Sequence, residues 1–443
     1  MDSRILSYAE RQVPRYTSYP TAPHFTPRVT GEIVLQWLAE LRATDTLSLY
    51  LHVPYCQQLC WYCGCNTYSA RRREPVQDFL GALLCEIDLV SETLRGQRVV
   101  EIHWGGGTPN ILETEQFESV VEKITDRFDT NAVAHHAIEI DPRYLDCAKA
   151  RTYAKAGVNR VSLGVQDLNL HVQQAIGRVQ PLEVVERAVT TLRNAGIAEI
   201  AMDLMYGLPH QGLDEIRSSV RLAASMAPNR IALFGYAHVP WFKKRQRMIP
   251  EAALPGAETR FEQAETACAE LNALGYIAIG LDHFARPDDE LALAAARGDL
   301  RRSFQGYVTE TATAIVGLGP SAISTLPRGY AQNSSEPGAW ARAINTGRLA
   351  IARGHALSNE DRIRRRLIEQ IMCDFTADLA PLGGPGACAD ELEALAPMLA
   401  DGMARLDGDR LVLSDAARPF CRVAAMAFDT YAQQAQARHS KAI

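Results

Sequence analysis

"LSLYLHVPYCQQLCWYCGCN", residues 47–66, joins a short apolar run to four cysteines that fall within ten positions, in a chain of 443 residues with ten cysteines in all. The run reads as a buried strand, so Cys56, Cys60 and Cys63 sit on the loop directly above it. Three thiolates spaced C-x3-C-x2-C on one loop can hold three irons of a 4Fe-4S cluster and leave the fourth iron open to a substrate or cofactor. A structural zinc site, with Cys65 as fourth ligand, is the alternative; zinc knuckles, however, pair two C-x-x-C halves across an intervening loop, which this spacing does not provide. Cys65 itself stays open between a packed thiol and a functional group beside the cluster. The scattered Cys85, Cys147, Cys268, Cys373, Cys388 and Cys421 read as small apolar residues.

Outward from this loop, residues 46–285 alternate strands with helical patterns. After "LSLYLHV" come "VVEIHW", "HAIEID", "NRVSLGV", "EIAMDL", "RIALFGY" and "YIAIGLD". Between the first two, Phe79, Leu80, Leu83, Leu84, Ile87, Val90 and Leu94 form one apolar helical stripe, with Pro75 in its first turn and Gly96 at its end. Gly157, Gly196 and Gly275 each punctuate a helix-to-strand step. Continuous apolar strands separated by helices predict an α/β fold with a parallel sheet covered on both faces, either doubly wound or a (βα) barrel. Polar groups recur at the strand ends: His52, His103 and Trp104, Glu139 and Asp141, Gln166, Asp203, Tyr236 and His238, Asp282 and His283. Singly, each is as readily a turn or helix cap; their recurrence favours a barrel, whose active site gathers at that rim.

Residues 1–45 read as an ordered arm or lid more than a core element, residues 46–345 as the barrel with an extension, and residues 346–443 as a small, mainly helical domain with a β-hairpin resembling a winged helix. The "RIRRR" run of residues 362–366 reads as a solvated helix face or interdomain contact. A net charge of −6 argues against nucleic acid held by bulk electrostatics. No stretch reaches the length of a membrane span, and the first residues lack an apolar signal core, so a cytoplasmic location is expected.

"GGGTP", Gly105 to Pro109, follows the second strand, where glycines let backbone approach a ligand closely; it lacks the Gly-Lys-Ser/Thr of a phosphate loop. Together with C-x3-C-x2-C and Tyr62 before the last cysteine, it resembles the radical S-adenosylmethionine (SAM) enzymes. In that family SAM chelates the open iron, and an electron from the cluster releases a 5'-deoxyadenosyl radical; a GGE-type stretch meets the SAM ammonium group, and here Thr108 stands in the acidic position. The fold this implies is a partial (βα) barrel of the radical SAM type.

Within it, "PRYTSYPT", "LHVPYCQQLCWYCGCN", "IHWGGGTP", "IEIDPR", "RVSLGVQD", "MDLMYGLP", "YAHVP", "GLDHFARPDDELA", "SFQGY" and "GLGPSAIS" resemble, in order, segments of the oxygen-independent coproporphyrinogen III oxidases, with small departures at Tyr55, Trp61, Ser303 and Pro320. The resemblance implies Cys56, Cys60 and Cys63 as cluster ligands. It implies SAM contacts, across two SAM molecules, from Tyr50, Tyr62, Gly106, Gly107, Thr108, Glu139, Gln166, Arg178, Asp203, Ala237 and Ile323. The implied reaction converts the propionates of rings A and B of coproporphyrinogen III to vinyl groups, giving protoporphyrinogen IX in haem biosynthesis. An anionic tetrapyrrole needs cationic partners and apolar walls, for which Arg15, Phe304 and Gln305 are candidates. An electron donor for the cluster, an unidentified electron acceptor and a monomeric chain complete the expectation; a radical SAM relative that handles haem is the competing reading.

Overall fold

The apolar run that precedes the cysteines is strand β1 (Thr46–Val53), in which Leu47, Leu49, Leu51 and Val53 are all fully buried. β2 (Arg98–Gly106), β3 (His135–Ile140), β4 (Arg160–Gln166) and β5 (Glu199–Tyr206) follow, each separated from the last by at least one helix. The computed structural model describes residues 3–309, 311–432 and 441–442. Two compact units result. One comprises Phe25–Asp203 with Glu310–Ala356 and carries the cysteines; the other comprises Met1–His24, Leu204–Thr309 and Leu357–Ile443 and begins with the N-terminal arm.

In the cysteine unit, β1 pairs in parallel with β2 and with strand Ala314–Leu318, and β2, β3 and β4 continue in parallel order towards β5. The far edge departs from the all-parallel expectation: Ile323–Leu326, Gly329–Asn333 and Ile351–Ala356 run as an antiparallel meander. Short connections allow only antiparallel neighbours there, since a parallel return needs a crossover of a dozen residues or more.

The strands also alternate more than their apolar runs imply. In β4, Val161, Leu163 and Val165 are buried while Arg160, Ser162, Gly164 and Gln166 are half-exposed; in β5, Ile200, Met202 and Leu204 are buried against a half-exposed Asp203. Register carries this parity across the sheet: Tyr50 pairs with His103, His103 with Ala137, and Glu139 with Ser162. One face of the sheet is therefore apolar and packs on helices, and the other is a polar row.

Helix Glu74–Ser91 has Pro75 in its first turn as expected, and its buried stripe contains one carboxylate, Glu86. That carboxylate accepts from Gly319 N (2.6 Å), Asn333 Nδ2 (2.7 Å) and Trp340 Nε1 (3.1 Å), joining the helix to three other segments of the unit.

In the arm unit, Tyr8, Val13, Tyr16 and Tyr19 are buried in a core with Leu395, Phe420 and Phe428. Tyr16 donates to Asp429 (3.0 Å) and Tyr8 to Asp401 (2.8 Å). The arm thus contributes core side chains, which its Pro- and Tyr-rich composition does not advertise. The "YIAIGLD" segment is not a further parallel strand: Ile277–Ile279 is short, Gly280 turns the chain at φ 57°, and His283–Ala285 returns antiparallel to it and to Arg230–Gly235. Asp282 therefore lies in a turn. A hairpin of Arg301–Ser303 with Gly306–Val308 follows. The C-terminal hairpin is present, Ala404–Asp407 with Arg410–Leu413, joined by Thr376–Asp378 into a three-stranded sheet after helix Asn359–Asp374.

Candidate active site

The cysteine loop is held in place by its backbone. Gly107 N donates to Val53 O (2.7 Å), Thr108 N to Tyr55 O (2.9 Å), Tyr68 N to Pro54 O (2.8 Å) and Trp61 N to Ile176 O (3.0 Å). Asn66 Nδ2 donates to Ser321 Oγ (2.6 Å). A Cβ on Gly107 would lie 2.6 Å from Tyr55 O, so the third glycine is required by the approach of the turn to the cysteine loop itself. The N–H groups of Gly107 and Thr108 are engaged with the cysteine loop in the same contact.

Around the sulfurs, Thr108 Oγ1 lies 3.3 Å from Cys56 Sγ, and the Cys65 thiol is hydrogen-bonded to the Cys63 side chain, which pushes its pKa well up. Burial pushes the Cys56 thiol up to about 12. Arg178 donates from Nη1 to Cys60 Sγ (3.4 Å) and to Asp141 Oδ2 (3.1 Å), and from Nη2 to Gly164 O (2.7 Å). Asp141 also accepts from Arg143 Nη2 at 2.7 Å. Burial alone would raise the Asp141 pKa, but Arg178 and Arg143 outweigh it and hold the carboxyl below the usual range. Among the described residues, no three His, Cys, Asp or Glu side chains converge on one metal ion. A cluster that takes each thiolate on a different iron needs no such convergence.

Beneath the loop runs the polar row. His52 Nε2 donates to Asn66 O (3.2 Å), so its Nδ1 is the acceptor for the Tyr50 hydroxyl at 3.1 Å. Burial lowers the His52 pKa in keeping with that neutral tautomer, and burial with Glu139 nearby raises Tyr50 well above 10.0. Glu139 meets His103 Nε2 through Oε1 (3.3 Å) and accepts from Gly106 N through Oε2 (3.3 Å). Ser162 Oγ donates to Asp203 Oδ2 (3.2 Å). Gln166 closes β4 with φ 69°, a left-handed conformation rare for a residue with a side chain and a mark of functional sites.

The structure therefore brings together Tyr50, Cys56, Cys60, Tyr62, Cys63, Gly106, Gly107, Thr108, Glu139, Gln166, Arg178 and Asp203 around one loop and one sheet face. Ile323 opens an antiparallel strand of the same unit. Ala237, Arg15, Phe304 and Gln305 belong to the arm unit. There Ala237 O accepts from Gln246 Nε2 (3.0 Å), Arg15 Nη2 donates to Gly235 O (3.4 Å), and Phe304 and Gln305 form the turn of the Arg301–Val308 hairpin. Arg143 was present in "IEIDPR" without an assigned role; its position two residues after a strand-end aspartate was the available signal.

Residues 50–223 match the family model of the Radical SAM superfamily, the class that a three-cysteine loop above the first strand of a βα sheet defines. The chain is 46% identical to the oxygen-independent coproporphyrinogen III oxidase of Bradyrhizobium diazoefficiens, over 99% of both chains. It is 45% identical to that of Paracoccus denitrificans over 99% of this chain and 98% of the relative. The solved structure of coproporphyrinogen III oxidase from Escherichia coli, a radical SAM enzyme, superimposes with a TM-score of 0.90 at 36% identity, covering 95% of this chain and all of that one. The chain belongs to the oxygen-independent coproporphyrinogen III oxidase family. Its fold class is accordingly the α/β partial barrel of the radical SAM type.

Proposed function

We propose that this chain catalyses the oxygen-independent oxidative decarboxylation of coproporphyrinogen III, turning the propionates of rings A and B into vinyl groups and yielding protoporphyrinogen IX. The near end-to-end likeness to the named oxidases carries the substrate; the cysteine loop poised over the polar row carries the chemistry. The donor set fits a 4Fe-4S cluster: three sulfurs on one loop, one of them against a buried guanidinium. Cys56, Cys60 and Cys63 would hold the cluster, and SAM would meet the polar row. When bound, cluster and SAM supply one-electron, hydrogen-abstracting chemistry at the β-carbon of a propionate, which then loses carbon dioxide and one further electron.

This chain's residues do the rest. Glu139, Gln166 and Asp203 present acceptors to the hydroxyl and amino groups of SAM, and Arg178 balances negative charge at Cys60 while anchoring Asp141. His52, buried, and Tyr50, half-buried, keep water from the region under the loop. An electron donor, a separate electron acceptor, a monomeric state and a cytoplasmic location complete the reading; no helix among the described residues is long and apolar enough to cross a membrane.

The test is anaerobic incubation of the reconstituted, reduced protein with SAM and coproporphyrinogen III, following 5'-deoxyadenosine and decarboxylated porphyrin by mass. Joint appearance of both is expected. 5'-Deoxyadenosine without decarboxylation would overturn the substrate, and neither product from protein with its cluster intact would favour a haem-handling role.

A further inference from the structure

In the arm unit, guanidinium donors of Arg302 and Arg422 are buried without a hydrogen-bond partner among the described residues. Arg422 is 7% exposed; its Nη2 donates to Lys441 O (3.1 Å) and to Ala442 O, while Nε and Nη1 are buried without a hydrogen bond among the described residues. Arg302 Nη2 donates to Arg15 O (3.2 Å), its guanidinium stacks over the Tyr307 ring at 4.5 Å, and its Nε and Nη1 are likewise buried without a hydrogen bond. Arg260 lies over the Tyr206 ring at 5.6 Å. The exposed Arg15 contributes a fourth guanidinium: burial chiefly, and then the Arg15 charge, lower the pKa of Arg260 and of Arg422, the latter to about 10.

A carboxylate, Asp282, faces the group. Asp282 lies within the electrostatic reach of Arg302, Arg15 and Arg422, and it is already hydrogen-bonded to His283 Nδ1 at 2.7 Å. Two nearby acids are otherwise engaged: Asp429 by Tyr16, and Glu369 by the backbone N–H of Arg302. Bare backbone surrounds the group as well: a Cβ on Gly235 would fall 2.8 Å from the Tyr206 hydroxyl and 3.3 Å from Arg260 Nη2. Burying guanidinium groups with unmade hydrogen bonds is strongly unfavourable unless an anion completes them. Guanidinium donors beside aromatic rings, as at Arg302 and Arg260, suit a carboxylate borne on a flat, apolar ring system.

We propose that Arg302 and Arg422, supported by Arg15 and Arg260, form a carboxylate-binding site that holds propionate groups of the tetrapyrrole. The site rests on the activity proposed above and assigns the residues that recognise its substrate. Arg302 and Arg422 each have two donors, Nε and Nη1, directed at no protein acceptor among the described residues; lying on opposite edges of the guanidinium, each can donate singly to a carboxylate oxygen.

The test uses the full-length, cluster-loaded protein and coproporphyrin III, the stable oxidised tetracarboxylate, as probe, with its tetramethyl ester as the uncharged control. Binding is read by porphyrin fluorescence. Arg302→Gln and Arg422→Gln should each weaken the tetracarboxylate about 10- to 100-fold, the scale of one lost charge-assisted pair, and erase the preference over the ester while leaving ester and SAM affinity unchanged. A general loss of structure would weaken acid and ester alike, which would overturn a specific carboxylate role. Where a Gln variant does not assemble, Arg302→Lys and Arg422→Lys keep the charge without the planar set of guanidinium donors and should lose about tenfold. Affinity and ester preference within twofold of wild type in every soluble variant would overturn the site. Wild-type turnover with unchanged binding in the variants would overturn this site alone. Carboxylate-selective binding through these arginines, with no decarboxylation by wild type, would uphold the site and overturn the activity.

Discussion

Arg178 reaches Cys60 Sγ across 118 positions of sequence and places a buried guanidinium against the sulfur that carries negative charge when it holds iron. On the proposed reading, in which Cys56, Cys60 and Cys63 are the whole protein share of the cluster, Cys60→Ser should abolish both the iron-sulfur absorbance and turnover while the far-ultraviolet circular dichroism stays that of wild type. Cys65, whose thiol is hydrogen-bonded to the Cys63 side chain, should tolerate Ser with its iron intact. Loss of about a quarter or more of the bound iron, on the stoichiometry of a four-iron cluster, would make it a ligand. A second residue-scale expectation concerns acid. His136 accepts from Trp104 Nε1 (2.9 Å) and donates from Nδ1 to Ala156 O (3.1 Å), and burial pushes its pKa from 6.5 down to about 4. The folded state thus resists the proton that the unfolded chain accepts. Stability from this histidine is complete above about pH 6.5 and is lost as pH falls towards 4, amounting to about 3 kcal/mol. Denaturant titrations at pH 7 and pH 4.5 should show a smaller acid loss in His136→Gln than in wild type; equal losses would exclude His136 as the source.

Elements meet where two backbones press together. The turn after β2 and the cysteine loop approach so closely that Gly107→Ala must displace Tyr55 O, break the Thr108 hydrogen bond and shift Cys56. Iron retained per chain should fall several-fold in that variant, whereas Gly81→Ala, in helix Glu74–Ser91 with open space around it, should keep its iron and gain about 0.5–1 kcal/mol. The same helix depends on Glu86. Glu86→Leu would strand three buried donors, each worth about 1–3 kcal/mol when left unmade, so the denaturation midpoint should drop sharply, and an unchanged midpoint would show those donors to be satisfied by other means. Element types were largely legible: β1 to β5 and their helices follow from apolar runs and helix-ending glycines, which are local signals. The meander at 323–356 and the turn at Gly280 were not, because pairing direction depends on connection length and on one left-handed residue within an otherwise strand-like run.

At the scale of the whole molecule, the N-terminal arm is tested by removal. Tyr8, Val13, Tyr16 and Tyr19 lie in the core of their unit, and four such side chains returned to water amount to about 6–12 kcal/mol. That equals the net stability of a typical domain. Deletion of residues 1–20 should therefore yield insoluble or protease-sensitive protein, whereas a detachable lid would leave the melting temperature unchanged. What the sequence determined by itself was the chemistry of short spacing: a three-thiol loop above a strand, a glycine turn, and the order of motifs along the chain. Those follow from covalent proximity and local backbone preference. Only the tertiary structure decided which distant side chains share an environment: Arg178 with Cys60 and Asp141, Glu86 with three separate segments, and Arg15, Arg260, Arg302 and Arg422 with Asp282. Arginines in helices and hairpins have no periodic signature of such a meeting. Long-range packing alone brings them together, burying Arg422 and the Nε and Nη1 atoms of Arg302, and that meeting is what turns scattered charges into a site.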